Sequence, residues 1–108
     1  MGDGFDSVYL CNSGGEANDF AVYVSRLFTK QYKFFSLKNA YHGSVGNSAN
    51  LTNTGTWNAS FRGGFEFDRF AWPNSYRGAH QDVDSLVRDA EETLNSQSCE
   101  GKVAGFIF

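Results

Sequence analysis

Two short stretches carry residue types that could hold a small anionic ligand. In the first, Asn12-Ser13-Gly14-Gly15-Glu16, two glycines stand between a β-branched and aromatic run and an amphipathic one. A strand ending there and a helix starting there would leave the first helical N–H groups unpaired and aimed at a crevice, where the helix dipole favours an anion. Gly14 and Gly15 remove side chains that would keep a ligand away from the backbone. The chemistry would be phosphate binding; the plainer alternative is an ordinary strand-to-helix turn with a good cap. The turn is not a G-x-G-x-x-G fingerprint, and the chain has no G-x-x-x-x-G-K-[ST].

The second stretch is Asn39-Ala40-Tyr41-His42-Gly43, just after an apolar run that reads as a strand. It would lie at the same carboxyl edge of a parallel sheet as the glycine turn, the edge where open α/β sheets take ligands. Tyr41 there can stack on a planar heterocycle or cap the core. His42 has no metal-ligand spacing with the other histidine, His80, so no metal site is expected. A third stretch, Arg62-Gly63-Gly64-Phe65-Glu66-Phe67-Asp68-Arg69-Phe70, joins Arg-Gly-Gly to aromatics, but Glu66 and Asp68 interrupt it and no RNP1 pattern results. It reads as an aromatic loop over the core.

The elements that must position these residues follow from periodicity. Asp6–Cys11 reads as a strand. Ala17, Phe20, Ala21, Val24, Leu27 and Phe28 recur at steps of three and four, which predicts a helix from the glycines to about Thr29 with this apolar face buried. Ser13 and Glu16 have capping-box spacing at its start. Lys33–Leu37 is a second strand, parallel to the first in a βαβ unit. Residues 38–80 read as one long loop of the kind that lines a site. A second helix spans about Asp82–Ser96, with Val83, Leu86, Val87, Ala90 and Leu94 as its buried stripe. Lys102–Phe108 reads as an interior strand of a parallel sheet. The expected fold class is therefore α/β, a partial parallel sheet of the form βαβ plus αβ. No domain boundary falls within residues 1–108. The last apolar strand residue is also the last residue, which suggests a segment of a longer protein.

Composition limits the partners. The 108 residues hold 9 Lys+Arg against 12 Asp+Glu, a net charge of −3, unlike a duplex nucleic-acid binder. No apolar run approaches the roughly 20 residues of a membrane helix. Cys11 and Cys99 make no disulfide scaffold and read as reduced thiols. The sequons at Asn50 and Asn58 sit in an Asn/Ser/Thr-rich stretch, where such matches arise by chance.

Three stretches together resemble the class III pyridoxal-phosphate-dependent aminotransferases: Val8–Asp19 around Asn12-Ser13-Gly14-Gly15-Glu16-Ala17-Asn18-Asp19, Ser36–Gly43 ending in Tyr41-His42-Gly43, and Lys102–Ile107. Leu51-Thr52 followed by Thr56-Trp57, and then Pro73-Asn74-Ser75-Tyr76-Arg77-Gly78, are similar in spacing to the "LT…TW" and "P-D-P-Y-R-G" of the alanine–glyoxylate aminotransferase 2 group.

The resemblance implies a segment of the large domain of a fold-type I enzyme, with pyridoxal 5′-phosphate as cofactor. It implies that Ser13, Gly14, Gly15, Tyr41 and His42 bind the cofactor, the turn amides holding its phosphate and Tyr41 stacking on its ring. Tyr41 and Arg77 are the nearest candidates to touch substrate, although a surface ion pair is the plainer role for Arg77. Where Gly15 stands the family more often has Thr or Ser; losing that hydroxyl removes a phosphate hydrogen bond worth about 1–3 kcal/mol. The family's cofactor-attaching lysine and the aspartate that pairs with the pyridine nitrogen lie downstream, and none of Lys30, Lys33, Lys38 or Lys102 matches that lysine. The implied activity is transfer of an amino group from an amino acid, alanine for this group, to a 2-oxo acid such as glyoxylate. The segment alone is expected to be inactive and to bind the cofactor weakly or not at all. A homodimer or larger homo-oligomer and a mitochondrial location are implied for the parent, with neither nucleic acid nor membrane as partner. The alternatives are a class III phospho-lyase or mutase, or a truncated interaction module without catalysis.

Overall fold

The computed structural model describes residues 4, 6–56, 66–74, 76–80, 82–96 and 100–108. Ser13 opens α1 (Gly14–Thr29), its Oγ accepting from Glu16 N–H at 3.2 Å, as the spacing predicts. The Glu16 carboxylate reaches back one residue further than a capping box requires and accepts from Asn12 N–H at 2.8 Å. At the other end Lys30 takes a left-handed φ of 57°, so that its N–H closes on Arg26 O at 3.0 Å. The chain then turns back into β1 (Lys33–Leu37), the expected range.

β1 is the middle strand of a parallel sheet ordered β2-β1-β3. β2 (Phe67–Phe70) pairs Phe34 with Phe67 and Leu37 with Phe70. β3 (Val103–Phe106) pairs Lys33 with Val103 and Phe35 with Phe106 across one irregularity. The short α2 (Gly46–Leu51) lies in the β1–β2 crossover and α3 (Val83–Leu94) between β2 and β3. The α/β class therefore holds, with β1-α2-β2 as the βαβ unit and α3-β3 as the αβ unit. One sheet face carries the core of Val22, Phe34, Leu51 and Phe67, with Ala104 and Ile107 against it. Fully burying one such side chain is worth about 1.5–3 kcal/mol. The other face carries a stack of rings: Phe35 on Phe70 at 4.6 Å and Phe106 edge-on to Phe70 at 5.4 Å.

Four expectations are corrected. Asp6–Cys11 is not a strand; these residues pair with no strand of the sheet, and Leu10 is 94% exposed. A strand-like sequence without a neighbouring strand has no ladder of hydrogen bonds to hold it. The second correction concerns residues 38–80, which are not all loop, for they contain α2 and β2. The alternation in β2 is broken because its polar members are paired: Asp68 bonds Lys33 at 2.6 Å, and Arg69 donates to Asn50 O beneath α2.

Third, the buried stripe of α1 is inverted. Val22 is its buried residue, while Val24, Leu27 and Phe28 are exposed, Phe28 by 88%. The inward face is the polar one, because Asn18, Asp19 and Arg26 have specific acceptors and donors on the loop and α2. Of the expected stripe of α3, Val83, Val87 and Leu94 are exposed and Leu86 and Ala90 are only partly buried. Fourth, β3 is an edge strand of this sheet rather than an interior one. Arg62–Phe65, the Asn58 sequon, Trp57, Ser75 and Cys99 lie outside the described residues. Cys11 is a free, exposed thiol.

Candidate functional site

The glycine turn and the loop after β1 meet at the carboxyl edge of the sheet. Ser13, Gly14, Gly15 and Asn18 from the start of α1 line one cavity of about 440 Å³ with Tyr41, His42, Gly43, Ser44 and Val45. All five residues singled out in the sequence for the cofactor therefore border one space. The helix supplies no intrahelical acceptor for the amides of Gly14 and Gly15 at its first two positions.

The two walls touch through glycines. Gly43 has a φ of +135°, and a Cβ on it would lie 2.5 Å from Ser48 Oγ and 2.8 Å from Gly15 Cα. Only glycine fits both the conformation and the space. A Cβ on Gly15 would meet Gly43 Cα at 3.5 Å and Ser48 Oγ at 3.6 Å, ordinary contacts. The hydroxyl-bearing residue usual in the resembled family is thus compatible with this backbone.

The Tyr41 loop is held from below and from the side. Thr52, fully buried at the end of α2, takes the N–H groups of His42 at 2.9 Å and Gly43 at 3.2 Å on one Oγ1. Asn53 N–H donates to Ala40 O at 2.8 Å. From α1, Asn18 Nδ2 donates to His42 O at 2.8 Å, and Asp19 Oδ1 accepts from Asn47 N–H at 2.6 Å. Asp19 thereby caps α2 from another helix, since Val45 at the N-cap offers no oxygen on its side chain. Spacing alone could not reveal these ties, because Asn18 and Asp19 fall on the face opposite the apolar stripe and read as solvent-facing.

Tyr41 is 53% exposed at the cavity, whereas His42 is only 8% exposed. Burial lowers the pKa of His42, which favours its neutral form. Its Nε2 is buried without a partner among the described residues. Arg77 does not line this cavity. It lines a separate space of about 190 Å³ with Lys38, Asn39, Trp72 and Asn74, and its guanidinium lies over the Tyr76 ring at 5.2 Å. Among the described residues no cluster of His, Cys, Asp and Glu could hold a metal, and no helix is long and apolar enough to cross a membrane.

The geometry can be set beside known proteins. Human mitochondrial alanine–glyoxylate aminotransferase 2 is 34% identical over 93 residues, 85% of this chain and 18% of that protein. Over most of its length the chain is similar to class III aminotransferases. An ethanolamine-phosphate phospho-lyase homolog 1 of Caenorhabditis elegans is 33% identical over 95 residues, 82% of the chain and 19% of that protein. Among solved structures, an omega-aminotransferase from Paracoccus denitrificans superimposes with a TM-score of 0.81 at 27% identity, covering 96% of this chain and 26% of that one. A PLP-bound aminotransferase mutant from Vibrio fluvialis gives a TM-score of 0.77 at 28% identity, covering 89% and 24%. The chain thus shares its fold with these transaminases and spans about a fifth of the length of the curated relatives it matches. No protein-family model matches the chain.

Proposed function

We propose that residues 1–108 form part of the cofactor-binding large domain of a pyridoxal-phosphate-dependent aminotransferase, holding the cofactor's phosphate at the glycine turn and its ring against Tyr41. The observation that carries this reading is the single cavity bordered by Ser13, Gly14 and Gly15 on one wall and Tyr41 and His42 on the other. The residues fit such a group. Two helix-terminal amides are open to an anion, glycine-on-glycine contact brings backbone to the cavity wall, and a half-exposed ring stands beside it. When bound, the cofactor supplies an electron sink for amino-group chemistry. This chain's residues bind and orient it: the amides of Gly14 and Gly15 take the phosphate, Ser13 Oγ stays committed to the Glu16 amide, and Tyr41 covers the ring. His42, whose neutral form burial favours, has one nitrogen open to a further polar group.

In the parent protein the reaction is amino transfer from alanine to a 2-oxo acid such as glyoxylate, as the name of the human relative suggests. A phospho-lyase is the second reading, favoured by the nearly equal identity to the C. elegans relative. Tyr41 faces substrate as well as cofactor, and Arg77 reaches substrate only from its separate space. A homodimer and a mitochondrial location are proposed on the same family grounds. The chain itself carries no catalytic residue and transfers no amino group; incubated with pyridoxal 5′-phosphate, alanine and glyoxylate, it should form pyruvate no faster than the free cofactor does.

Binding is tested with 4′-deoxypyridoxine 5′-phosphate, which keeps the ring and phosphate but lacks the aldehyde that would react with surface lysines. In an NMR titration it should bind in the millimolar range or tighter and move the amide signals of Gly14 and Gly15. Its phosphate-free counterpart should bind at least tenfold more weakly. Equal binding of the two compounds would remove the phosphate role of the turn.

A further inference from the structure

Beyond the residues that border the ring and phosphate, we propose that Asn18 is a positioning residue that sets the distance between the two walls of the cavity. The inference rests on the cofactor reading above. The glycine turn belongs to α1 and moves with it. Tyr41 belongs to the loop after β1, which hangs from β1, Thr52 and Asn53. A ligand with a ring at one end and a phosphate at the other senses how far apart these two bodies stand.

Asn18 ties them together. It lies one helical turn beyond Gly14, lines the cavity, and donates Nδ2 to the carbonyl oxygen of His42 at 2.8 Å, one peptide unit beyond Tyr41. Thr52 grips the other side of the same segment through the His42 and Gly43 amides. The His42–Gly43 peptide is therefore held between α1 and the end of α2. Asp19, the next residue, fixes α2 to the same helix through Asn47 N–H. The Gly15–Gly43 contact prevents the walls from closing further, and the Asn18 hydrogen bond prevents them from opening. A bland surface role for Asn18 would leave its amide facing water, whereas here it is part-buried on a backbone acceptor.

The experiment compares two probes on the full chain, inorganic phosphate and 4′-deoxypyridoxine 5′-phosphate, in the wild type, Asn18→Ala and Asn18→Leu. Asn18→Leu keeps nearly the same shape, adds no charge and loses the donor. Amide signals of Gly14 and Gly15 report phosphate, and the Tyr41 ring signals report the heterocycle. The expected result is a split. Inorganic phosphate binds all three proteins within about twofold. The extra affinity that the ring confers on the wild type falls about five- to tenfold in both variants, the loss of one neutral hydrogen bond, and the Tyr41 shifts shrink with it. A variant that folds, by its β1 amide signals, and keeps the full advantage of the ring with unchanged Tyr41 shifts would overturn the proposal. So would an equal loss for both probes, which marks a general structural role. If Asn18→Ala does not fold, Asn18→Leu alone decides. A wild type whose Gly14, Gly15 and Tyr41 signals answer neither probe would instead bring down the cofactor reading, and the positioning role with it.

Discussion

At the scale of single residues, a β-carbon separates the two glycines that meet at the site. Gly43→Ala forces a side chain into a φ of +135° and against Ser48 and Gly15, and should cost about 1–3 kcal/mol in urea denaturation. Gly15→Ser finds ordinary contacts only; it should leave stability within about 1 kcal/mol and tighten inorganic phosphate severalfold by restoring a hydroxyl donor. His42 gives a pH signature. Burial lowers its folded-state pKa, so below the ordinary imidazole range near 6.5 the unfolded chain binds more protons than the folded one. Its contribution is full above that range and is lost as pH falls through it toward the depressed folded value. Melting temperature should therefore decline from pH 7.5 to 5.5, and His42→Asn should flatten that slope. Much at this scale was legible. The Ser13 cap, the turn glycines and the Tyr41 loop follow from residue type and spacing, and the structure gathers them at one cavity. Asn18, Asp19 and Thr52 were not legible as site residues, because their partners are backbone groups distant in sequence.

At the scale of elements, the strength of local signals decided what could be read. α1 and β1 have caps and apolar runs complete within themselves, and their predicted bounds match. β2 has four residues with two charges in the middle, and its strand character appears only once Lys33 and the end of α2 are in place as partners. Asp6–Cys11 shows the converse, a strand-like composition that finds no ladder. β3 adds a constraint that composition hides. Gly105 lies across the Phe34 ring, and a Cβ there would stand 2.8 Å from its Cε1. Gly105→Ala should push Phe34 out of its place in the core and lower stability by about 1–3 kcal/mol, while leaving the α1 N-terminal signals unmoved; thermal denaturation with an amide spectrum checks both.

At the scale of the whole molecule, the apolar residues outnumber the surfaces that cover them. Leu27 and Phe28 on α1, Val87 and Leu94 on α3, and Phe106 and Phe108 at the β3 end are all exposed. The helices α1 and α3 are amphipathic in sequence, but periodicity names an apolar face without naming its cover. Exposed patches of this kind bind hydrophobic dyes. The chain should enhance 8-anilinonaphthalene-1-sulfonate emission well above an ordinary folded domain, and Phe28→Glu should reduce it; an unchanged signal in that variant would place the dye elsewhere. The central claim is that one cavity takes the phosphate at the first amides of α1 and the ring at Tyr41. Intermolecular nuclear Overhauser contacts in the complex with 4′-deoxypyridoxine 5′-phosphate test it most directly. The predicted result is contact between the pyridine protons and the Tyr41 ring together with phosphate-dependent shifts at Gly14 and Gly15; ring contacts to Phe20 and Tyr23 on the other side of the turn, with Tyr41 silent, would contradict it.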